Sequence, residues 1–246
     1  MNLKSEKPFR FKQFVVYQEN CSLKVNTDGC LLGAVAALGL PNGIKNPPTK
    51  ILDIGTGTGV IALMLAQVFK CEIEAVEIDK LSAQQATINF TNSQWAERLN
   101  CYHNDIETFS ENQSHNYDLI ICNPPFFENV TKSPYSHKNI SKHNDLLPPD
   151  SLLKSVKKLL SAKGEFYIIL PVEEAKKFSK LLFSYKLFIN YQLEIKPISY
   201  KKTHRLILKI SFEKQKVLTE ELSIRNQDQS FNNYYEKLLS SYYIVF

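Results

Sequence analysis

The alternation of apolar and helical segments that begins near residue 50 constrains the fold more than any other feature of this sequence. KILDIG (50–55) is an apolar run that enters a glycine turn, and VIALMLAQVF (60–69) follows it with helical spacing. Strand and helix patterns then continue to alternate as far as EFYIIL (165–170). Strands joined by helices pair in parallel through right-handed crossovers, so we predict a parallel sheet with helices on both faces.

Two later segments predict an antiparallel addition to this sheet. YQLEIKPI (191–198) and RLILKISF (205–212) are separated only by a short basic link, as in a hairpin. We therefore predict an α/β, Rossmann-like fold with a mostly parallel seven-stranded sheet and an antiparallel edge hairpin. A chain of 246 residues that is 43% hydrophobic can bury one large core. We expect a single domain over residues 1–246, with residues 1–48 as a basic strand and helix extension packed on it.

Composition argues against membrane, disulfide-rich and metal-binding proteins. No apolar run approaches the roughly 20 residues that span a bilayer, and the first residues, MNLKSEKPFRFKQF, lack the apolar centre of a signal peptide. The five cysteines are widely spaced, and the five histidines show no metal-ligand spacing. We expect a cytoplasmic protein without a membrane partner, a disulfide framework or a metal.

The charge of the chain is distributed unevenly. The formal net charge is +4 over residues 1–50, −8 over residues 51–130 and +9 over residues 131–246. This pattern suits an enzyme that binds a polyanion with its periphery and a small cationic cofactor at its centre. Lysine-rich, solvated helix faces would produce the same pattern, and charge alone does not separate the two interpretations.

The glycine turn after the first predicted strand indicates a nucleotide-type cofactor. Glycines allow a ligand to approach the backbone, and the helix that follows presents free amides at its start. The dinucleotide fingerprint GxGxxG fails here, because Val60 occupies its third glycine position. The spacing is GxGxG, with Asp53 two residues before Gly55, which is typical of methyltransferases that use S-adenosylmethionine. A turn with another ligand, or a purely structural turn, is the alternative.

Two acidic residues follow the next two predicted strands. Glu77 ends the second strand and is placed to accept hydrogen bonds from both ribose hydroxyls of the cofactor, a role that requires a carboxylate. Asp105 follows the third strand and could accept from the adenine amino group. Because both lie on the sheet edge where doubly wound folds bind ligands, they strengthen the cofactor prediction.

A stiff polar corner, NPPF, ends the fourth predicted strand, next to the first. An exocyclic amine on adenine is a poor nucleophile, and two acceptors that hold its N–H groups can direct its lone pair toward an electrophile. We predict that the Asn123 side-chain oxygen and the Pro124 carbonyl are these acceptors. Pro124 and Pro125 restrict the backbone, since proline has a locked φ and no amide, and Phe126 stacks on the target base. An Asn-Pro turn with two core phenylalanines is the structural alternative.

The chain resembles the tRNA1(Val) (adenine-37-N6)-methyltransferase family over nearly its full length. The segments that carry the resemblance are FRFKQF, KVNTDGCLLGA, LDIGTGTGVIALMLAQ, LIICNPPFF and the C-terminal LSIRNQDQSFNNYYEKLLSSYYIVF. The resemblance implies a class I methyltransferase that transfers a methyl group from S-adenosylmethionine to N6 of the adenine just 3′ of the anticodon in a valine tRNA. The sequence departs from the family at Phe126 and Phe127, where relatives often have tyrosines.

The resemblance also implies roles for individual residues. The implied cofactor contacts are Thr27, Asp28, Asp53, Gly55, Gly57, Glu77, Asp105 and Asn123. Thr27 and Asp28 would lie near the methionine end of the cofactor, and both also suit the cap of a helix that starts at Gly29. The implied catalytic residues, which hold the target base, are Asn123, Pro124, Pro125 and Phe126.

Basic segments on either side of this core are the predicted RNA contacts. Near the N-terminus, cations alternate with three phenylalanines, so strand alternation would bury the rings and expose the cations. The link of the hairpin and the long loop after residue 127 are also basic. The predicted contacts are Lys7, Arg10, Lys12, Lys201, Lys202 and Arg205. The expected partner is the anticodon loop of a valine tRNA, whose target adenine is already single-stranded, and we expect a monomeric protein.

Three other functions are compatible with these motifs. NPPF also occurs in ribosomal guanine-N2 enzymes, so the first is a ribosomal RNA methyltransferase that acts on adenine N6 or guanine N2. The second is a protein glutamine methyltransferase, although such enzymes usually carry a helical N-terminal domain and this chain begins with a basic aromatic segment. The third is a non-catalytic RNA-binding module that has kept the cofactor pocket.

Overall fold

The computed structural model describes residues 7–114, 116–125 and 147–245, which contain ten β-strands and seven α-helices. The strands are β1 (Phe9–Arg10), β2 (Val15–Val16), β3 (Lys50–Ile54), β4 (Glu72–Glu77), β5 (Leu99–His103), β6 (Tyr117–Cys122), β7 (Leu160–Pro171), β8 (Phe188–Ile198), β9 (Arg205–Ser211) and β10 (Leu218–Arg225). The helices are α1 (Thr27–Leu38), α2 (Val60–Val68), α3 (Lys80–Thr91), α4 (Ile106–Asn112), α5 (Pro149–Leu159), α6 (Val172–Leu182) and α7 (Asn233–Leu239).

Eight of these strands form one sheet in the order β10-β8-β9-β7-β6-β3-β4-β5. Every neighbouring pair in this order is parallel except the two pairs that β9 makes. The predicted fold class, a mostly parallel sheet covered by helices, is confirmed. In the middle of the sheet, β3 pairs with β6, as predicted, and with β4 on its other side.

The number of strands differs from the prediction, because the sheet has eight strands instead of seven. The additional strand, β10, pairs in parallel with β8, so the β8–β9 hairpin lies inside the sheet and β10 forms the edge. The sequence of β10, LTEELSIR, is a weak strand signal because Leu222 alone among its eight residues is buried. Backbone pairing with β8 holds this strand in place, and such pairing leaves no trace in a hydrophobic pattern.

The sheet separates two hydrophobic cores, and each core is covered by its own helices. On one face α1, α2, α3 and α7 pack on the sheet through residues that include Leu32, Met64 and Tyr235. On the other face α4, α5 and α6 pack through residues that include Leu153 and Phe178. The two layers fix the carboxyl ends of the central strands, from which the loops of the predicted site begin.

The N-terminal segment packs on the end of the chain as an extension of the first core. β1 and β2 form a short antiparallel hairpin, and the Phe11 and Phe14 rings stack with their centroids 4.4 Å apart. Phe11 also packs against Tyr243, which follows α7. Phe11 and Phe14 are buried while Arg10 and Lys12 are exposed, as predicted. These two rings lie between β1 and β2, so the turn and not strand alternation sets the pattern.

Candidate active site

Three neighbouring strands end together at one edge of the sheet and supply most of the predicted site residues. The last residue of β3, Ile54, is paired with Val76 of β4 on one side and with Cys122 of β6 on the other. The glycine turn, the acidic end of β4 and the asparagine corner directly follow these three positions. Parallel pairing therefore places the predicted cofactor and base contacts at one crevice, where open α/β sheets bind ligands.

The turn between β3 and α2 leaves open space in front of its first glycine. Gly55 has a φ of 70°, which favours glycine, and its N–H donates to the Val76 carbonyl at 2.8 Å. A Cβ built on Gly55 would meet no heavy atom within 4 Å beyond its immediate neighbours. The turn therefore presents bare backbone to a space that a ligand can occupy.

Gly59, the last glycine of the turn, is packed closely against α3. Its φ is 80°, and a Cβ at this position would lie 2.5 Å from Cε1 of the buried Phe90 ring.

We predict that Gly59→Ala lowers the free energy of unfolding by about 2 kcal/mol or more, because the left-handed backbone and the steric overlap both cost energy. Urea unfolding of a double-mutant cycle with Phe90→Leu should recover part of this loss, because the smaller side chain removes the overlap. Strictly additive effects of the two substitutions would contradict this explanation.

Glu77 connects the end of β4 to the glycine turn. Its Oε2 accepts from the Gly57 N–H at 2.8 Å, and its Oε1 accepts from the Asp79 N–H at 3.0 Å. Burial raises the pKa of the Glu77 carboxyl above its usual value, and the two backbone donors oppose that rise. Each carboxylate oxygen retains a second lone pair, so Glu77 has the capacity to accept hydrogen bonds from the hydroxyls of a ligand.

Asp53, the acidic residue of the glycine motif, is completely buried beneath the turn. Its Oδ2 accepts from the Thr56 hydroxyl at 2.6 Å, whereas its Oδ1 has no hydrogen-bond partner among the described residues. Burial raises the pKa of the Asp53 carboxyl to about 7. The carboxylate supports the turn from below, and its contact with a cofactor stays a prediction.

The raised pKa of Asp53 predicts a pH-dependent cost to folding. The carboxyl ionises near pH 4 in an unfolded chain and near pH 7 in the folded protein, so its contribution to stability falls as the pH rises between these values. We expect the stability of an Asp53→Asn variant, relative to the unsubstituted protein, to increase from pH 4 to pH 7 and to level off above. Urea unfolding at a series of pH values measures this difference, and a difference that is constant with pH would contradict the assignment.

Asp105 lies at the start of α4, one strand away from Glu77. Its Oδ1 accepts from the Thr108 N–H at 2.8 Å and caps the helix, and this hydrogen bond lowers the pKa of the Asp105 carboxyl. The neighbouring Asn104 N–H donates to the Glu77 carbonyl at 3.0 Å, which joins the ends of β5 and β4. The structure thus places Asp105 beside the end of β4, and its role toward the cofactor adenine stays a prediction.

The Asn123 corner lies against the first turn of α1. A Cβ on Gly29 would lie 3.5 Å from Asn123 Nδ2, so the helix backbone and the amide approach each other closely. Asn26 caps this helix, since its Oδ1 accepts from the Gly29 N–H at 2.9 Å. Asn123 and Pro124 are buried and Pro125 is exposed, whereas Phe126 lies outside the described residues. The start of α1 therefore forms a wall of the crevice next to the corner.

The two α1 residues that were predicted to contact the cofactor have partners from distant parts of the chain. Asp28 Oδ2 accepts from Arg205 Nε at 2.8 Å in a mostly buried ion pair. Burial raises the pKa of the Tyr235 hydroxyl of α7, and a hydrogen bond with Thr27 opposes this rise. Arg205, a predicted RNA contact, therefore holds the start of α1 beside the asparagine corner, a pairing of residues 177 positions apart that sequence reasoning did not find.

The N-terminal group of predicted RNA contacts lies on the segment that packs against α7. Lys7 and Arg10 are exposed. Lys12 Nζ donates to the Ser240 carbonyl at 2.7 Å, at the end of α7, where a cation also complements the helix dipole. Contacts of this segment join it to the C-terminal part of the chain, and Phe14 also packs against Trp95.

The second group of predicted RNA contacts lies on the turn between β8 and β9. Lys201 and Lys202 are exposed there, and Arg205 follows as the first residue of β9. Arg205 is paired with Pro171, the last residue of β7, so this turn and the glycine turn lie at the same edge of the sheet. The ion pair of Arg205 with Asp28 connects the turn to the crevice.

Asn89 of α3 positions the glycine turn, and the sequence analysis did not identify it. This buried amide donates from Nδ2 to the carbonyls of Tyr17 and Thr58, both at 2.8 Å, and accepts from the Tyr17 N–H at 2.9 Å. The chain that follows Tyr17 passes near the turn, where the Leu23 carbonyl lies 4.0 Å from the position of a Gly57 Cβ. Nothing in the sequence marks Asn89, because most helical asparagines are exposed.

The crevice combines open space with hydrogen-bond acceptors at the ends of adjacent strands. Open space faces Gly55, acceptor capacity remains on Glu77, and a buried amide and proline corner stands on the adjacent strand. The model of the family "Methyltransferase small domain" matches residues 38–179. A tRNA1(Val) (adenine(37)-N6)-methyltransferase from Christiangramia forsetii is 36% identical and covers 98% of this chain and 99% of its own length. The chain belongs to this tRNA1(Val) (adenine(37)-N6)-methyltransferase family.

Other comparisons agree with this membership. A tRNA1(Val) (adenine(37)-N6)-methyltransferase from Trichodesmium erythraeum is 38% identical to this chain. The match covers 97% of this chain and 98% of that relative. The crystal structure of a predicted O-methyltransferase from Agrobacterium tumefaciens superposes with a TM-score of 0.64 over 87% of this chain and 96% of that one, at 14% identity. The structural match shows that the methyltransferase shares its fold with that protein.

The described parts of the chain contain neither a membrane-spanning helix nor a group of metal ligands. In residues 7–114, 116–125 and 147–245, no helix has the length and apolar character needed to cross a membrane. Within the same ranges, no three histidine, cysteine, aspartate or glutamate side chains are grouped so that they could hold a metal ion.

Proposed function

We propose that this methyltransferase transfers a methyl group from S-adenosylmethionine to N6 of adenine 37 in the anticodon loop of tRNA1(Val). The observation that carries the proposal is the buried Asn123–Pro124 corner, which stands beside the glycine turn on adjacent strands. The relatives named for this reaction align over nearly their full length and supply the base, the position and the class of RNA. A tRNA substrate implies a cytoplasmic enzyme.

The cofactor is held by the ends of β3, β4 and β5. Bound there, S-adenosylmethionine supplies an electrophilic methyl group. The bare backbone of Gly55 and Gly57 allows close approach, and the Glu77 carboxylate accepts hydrogen bonds from the ribose hydroxyls. Asp105 accepts from the adenine amino group. Asp53 supports the turn from below through Thr56, and a cationic ligand nearby would favour the ionised form of its carboxyl.

The target amine is oriented by two acceptors at the end of β6. The Asn123 side-chain oxygen and the Pro124 carbonyl accept its two N–H groups, which directs the nitrogen lone pair toward the methyl group. Burial of the corner strengthens both hydrogen bonds, because water does not compete for the acceptors. A strong general base is unnecessary, since the methylated amine loses its extra proton readily.

The start of α1 completes the corner. The helix lies against the Asn123 amide at Gly29, and the ion pair of Asp28 with Arg205 fixes the helix end. Thr27 and Asp28 therefore act at the methionine end of the cofactor partly by holding this wall in place. The cations of the β8–β9 turn extend the same edge toward the RNA backbone.

A substitution in the RNA tests the proposal. Purified protein is incubated with labelled S-adenosylmethionine and one of three RNAs: unmodified valine tRNA, the same transcript with guanosine in place of the adenosine at position 37, or ribosomal RNA. Label in the first RNA alone is the expected result. Equal label in the two tRNA transcripts, or label in ribosomal RNA alone, would overturn the proposed substrate while leaving the methyltransferase assignment intact.

A further inference from the structure

An exposed aromatic ring lies beside a cation on the turn that joins β8 to β9. The Tyr200 side chain is 58% exposed. Lys201 Nζ lies 5.4 Å from the centroid of the Tyr200 ring, and the next residue, Lys202, is also exposed. Among the described residues, Tyr200 belongs to neither hydrophobic core, so the ring is not used to build the interior.

Backbone hydrogen bonds hold this turn in a defined conformation. The Lys201 N–H donates to the Ile198 carbonyl at 2.8 Å, and the His204 N–H donates to the Ile195 carbonyl at 2.9 Å. The Ser199 N–H donates to the carbonyl of Arg225, the last residue of β10, at 3.0 Å. The ring is therefore presented on an ordered support, which limits the entropy lost when a ligand binds.

The turn is connected to the catalytic corner by a short series of contacts. Arg205 follows the turn and donates to Asp28 at 2.8 Å. The residue after Asp28, Gly29, faces the Asn123 amide. An RNA whose target base enters the Asn123 corner would therefore bring neighbouring nucleotides toward this side of the crevice.

We propose that Tyr200 is a stacking platform for a nucleobase next to the target adenine, and that Lys201 and Lys202 hold the flanking phosphates. This inference rests on the proposed function and deepens it by naming a contact that positions the RNA. Unpaired bases have exposed faces that stack on aromatic side chains, and anticodon loops present such bases. A phenol ring with one ammonium group 5.4 Å from its centroid, followed by a second exposed lysine, matches a base and its adjacent phosphates better than it matches a neutral or cationic partner.

Substitution of Tyr200 tests stacking separately from charge. We expect Tyr200→Ala to weaken tRNA binding and to raise the KM for tRNA roughly tenfold, with the KM for S-adenosylmethionine unchanged. Tyr200→Phe should keep the affinity of the unsubstituted protein, because the ring alone is needed. Phe183→Ala is the matched control, since Phe183 is an 80% exposed aromatic that follows α6 and lies outside the proposed surface.

The salt dependence of tRNA binding separates the roles of the ring and the lysines. Tyr200→Ala should leave the slope of log affinity against log salt concentration unchanged, whereas Lys202→Ala should reduce the slope by about one. The proposed role of Tyr200 is contradicted if Tyr200→Ala binds tRNA as tightly as Phe183→Ala, or if Tyr200→Phe loses as much affinity as Tyr200→Ala.

Methylation by the unsubstituted protein tests the proposed function in the same experiment. If that protein binds tRNA without methylating it, the proposed function is wrong. The tRNA affinities of the Tyr200 and Phe183 variants still decide whether Tyr200 is a stacking platform.

Discussion

Asn123→Ala is expected to reduce methyl transfer by about 10²–10³-fold, the range found when one preorganised polar group is removed from an active site. The physical reason is the loss of the acceptor that orients the target amine, at a position where the side chain is buried. Asn123→Asp retains an acceptor oxygen and should be more active than the alanine variant. Single-turnover methylation with saturating cofactor measures the effect on the chemical step.

Cofactor affinity distinguishes a catalytic role of Asn123 from a structural one. Titration calorimetry with S-adenosylmethionine should give nearly the same Kd for Asn123→Ala and for the unsubstituted protein. Asn42→Ala, which alters an exposed asparagine in the loop after α1, is the control for nonspecific effects. If Asn123→Ala loses cofactor binding in proportion to its activity, the corner builds the cofactor pocket and does not orient the base.

Glu77→Ala is expected to weaken cofactor binding about 100-fold. The substitution removes the acceptor for the ribose hydroxyls and leaves the Gly57 and Asp79 N–H groups without their carboxylate partner. Hydrogen bonds to a charged group contribute about 1.5–3 kcal/mol each, and 1.4 kcal/mol corresponds to a factor of ten in Kd. Glu77→Gln keeps one acceptor oxygen and should bind the cofactor with intermediate affinity.

Two measurements separate the loss of a ribose contact from general unfolding. Titration calorimetry gives the Kd of S-adenosylmethionine, and thermal unfolding without ligand gives the stability of each variant. Glu111→Ala, on the exposed face of α4, is the matched control. Unchanged cofactor affinity in a folded Glu77→Ala protein would place the ribose elsewhere.

The central sheet was predictable because its strands are buried on both faces. KILDI and YDLIIC are nearly continuous apolar runs that stop at a turn, so their ends could be located without any structure. The same logic located Glu77 and Asn123, each of which directly follows a predicted strand or ends it. Strand β10 was not predicted, because it lies at the edge of the sheet and buries only one of its side chains.

The contacts that position the site were not predictable, because they join residues far apart in the sequence. Arg205 is a basic residue in a basic segment, and nothing in that pattern indicates that its partner is Asp28. Asn89 supports the glycine turn through hydrogen bonds to backbone atoms, which carry no sequence signal. Asp53 was predicted as a cofactor contact, but its complete burial depends on how α2 and the turn pack above it.

Identification of the methylated nucleoside tests the central claim most directly. Unmodified valine tRNA is methylated by the purified protein, digested with a base-specific nuclease, and the fragment that contains position 37 is analysed by mass spectrometry. The proposed function predicts one added methyl group in that fragment, recovered as N6-methyladenosine after complete digestion. Methylguanosine, or a methyl group in any other fragment with none at position 37, would contradict the proposed orientation of an adenine amine by Asn123 and Pro124.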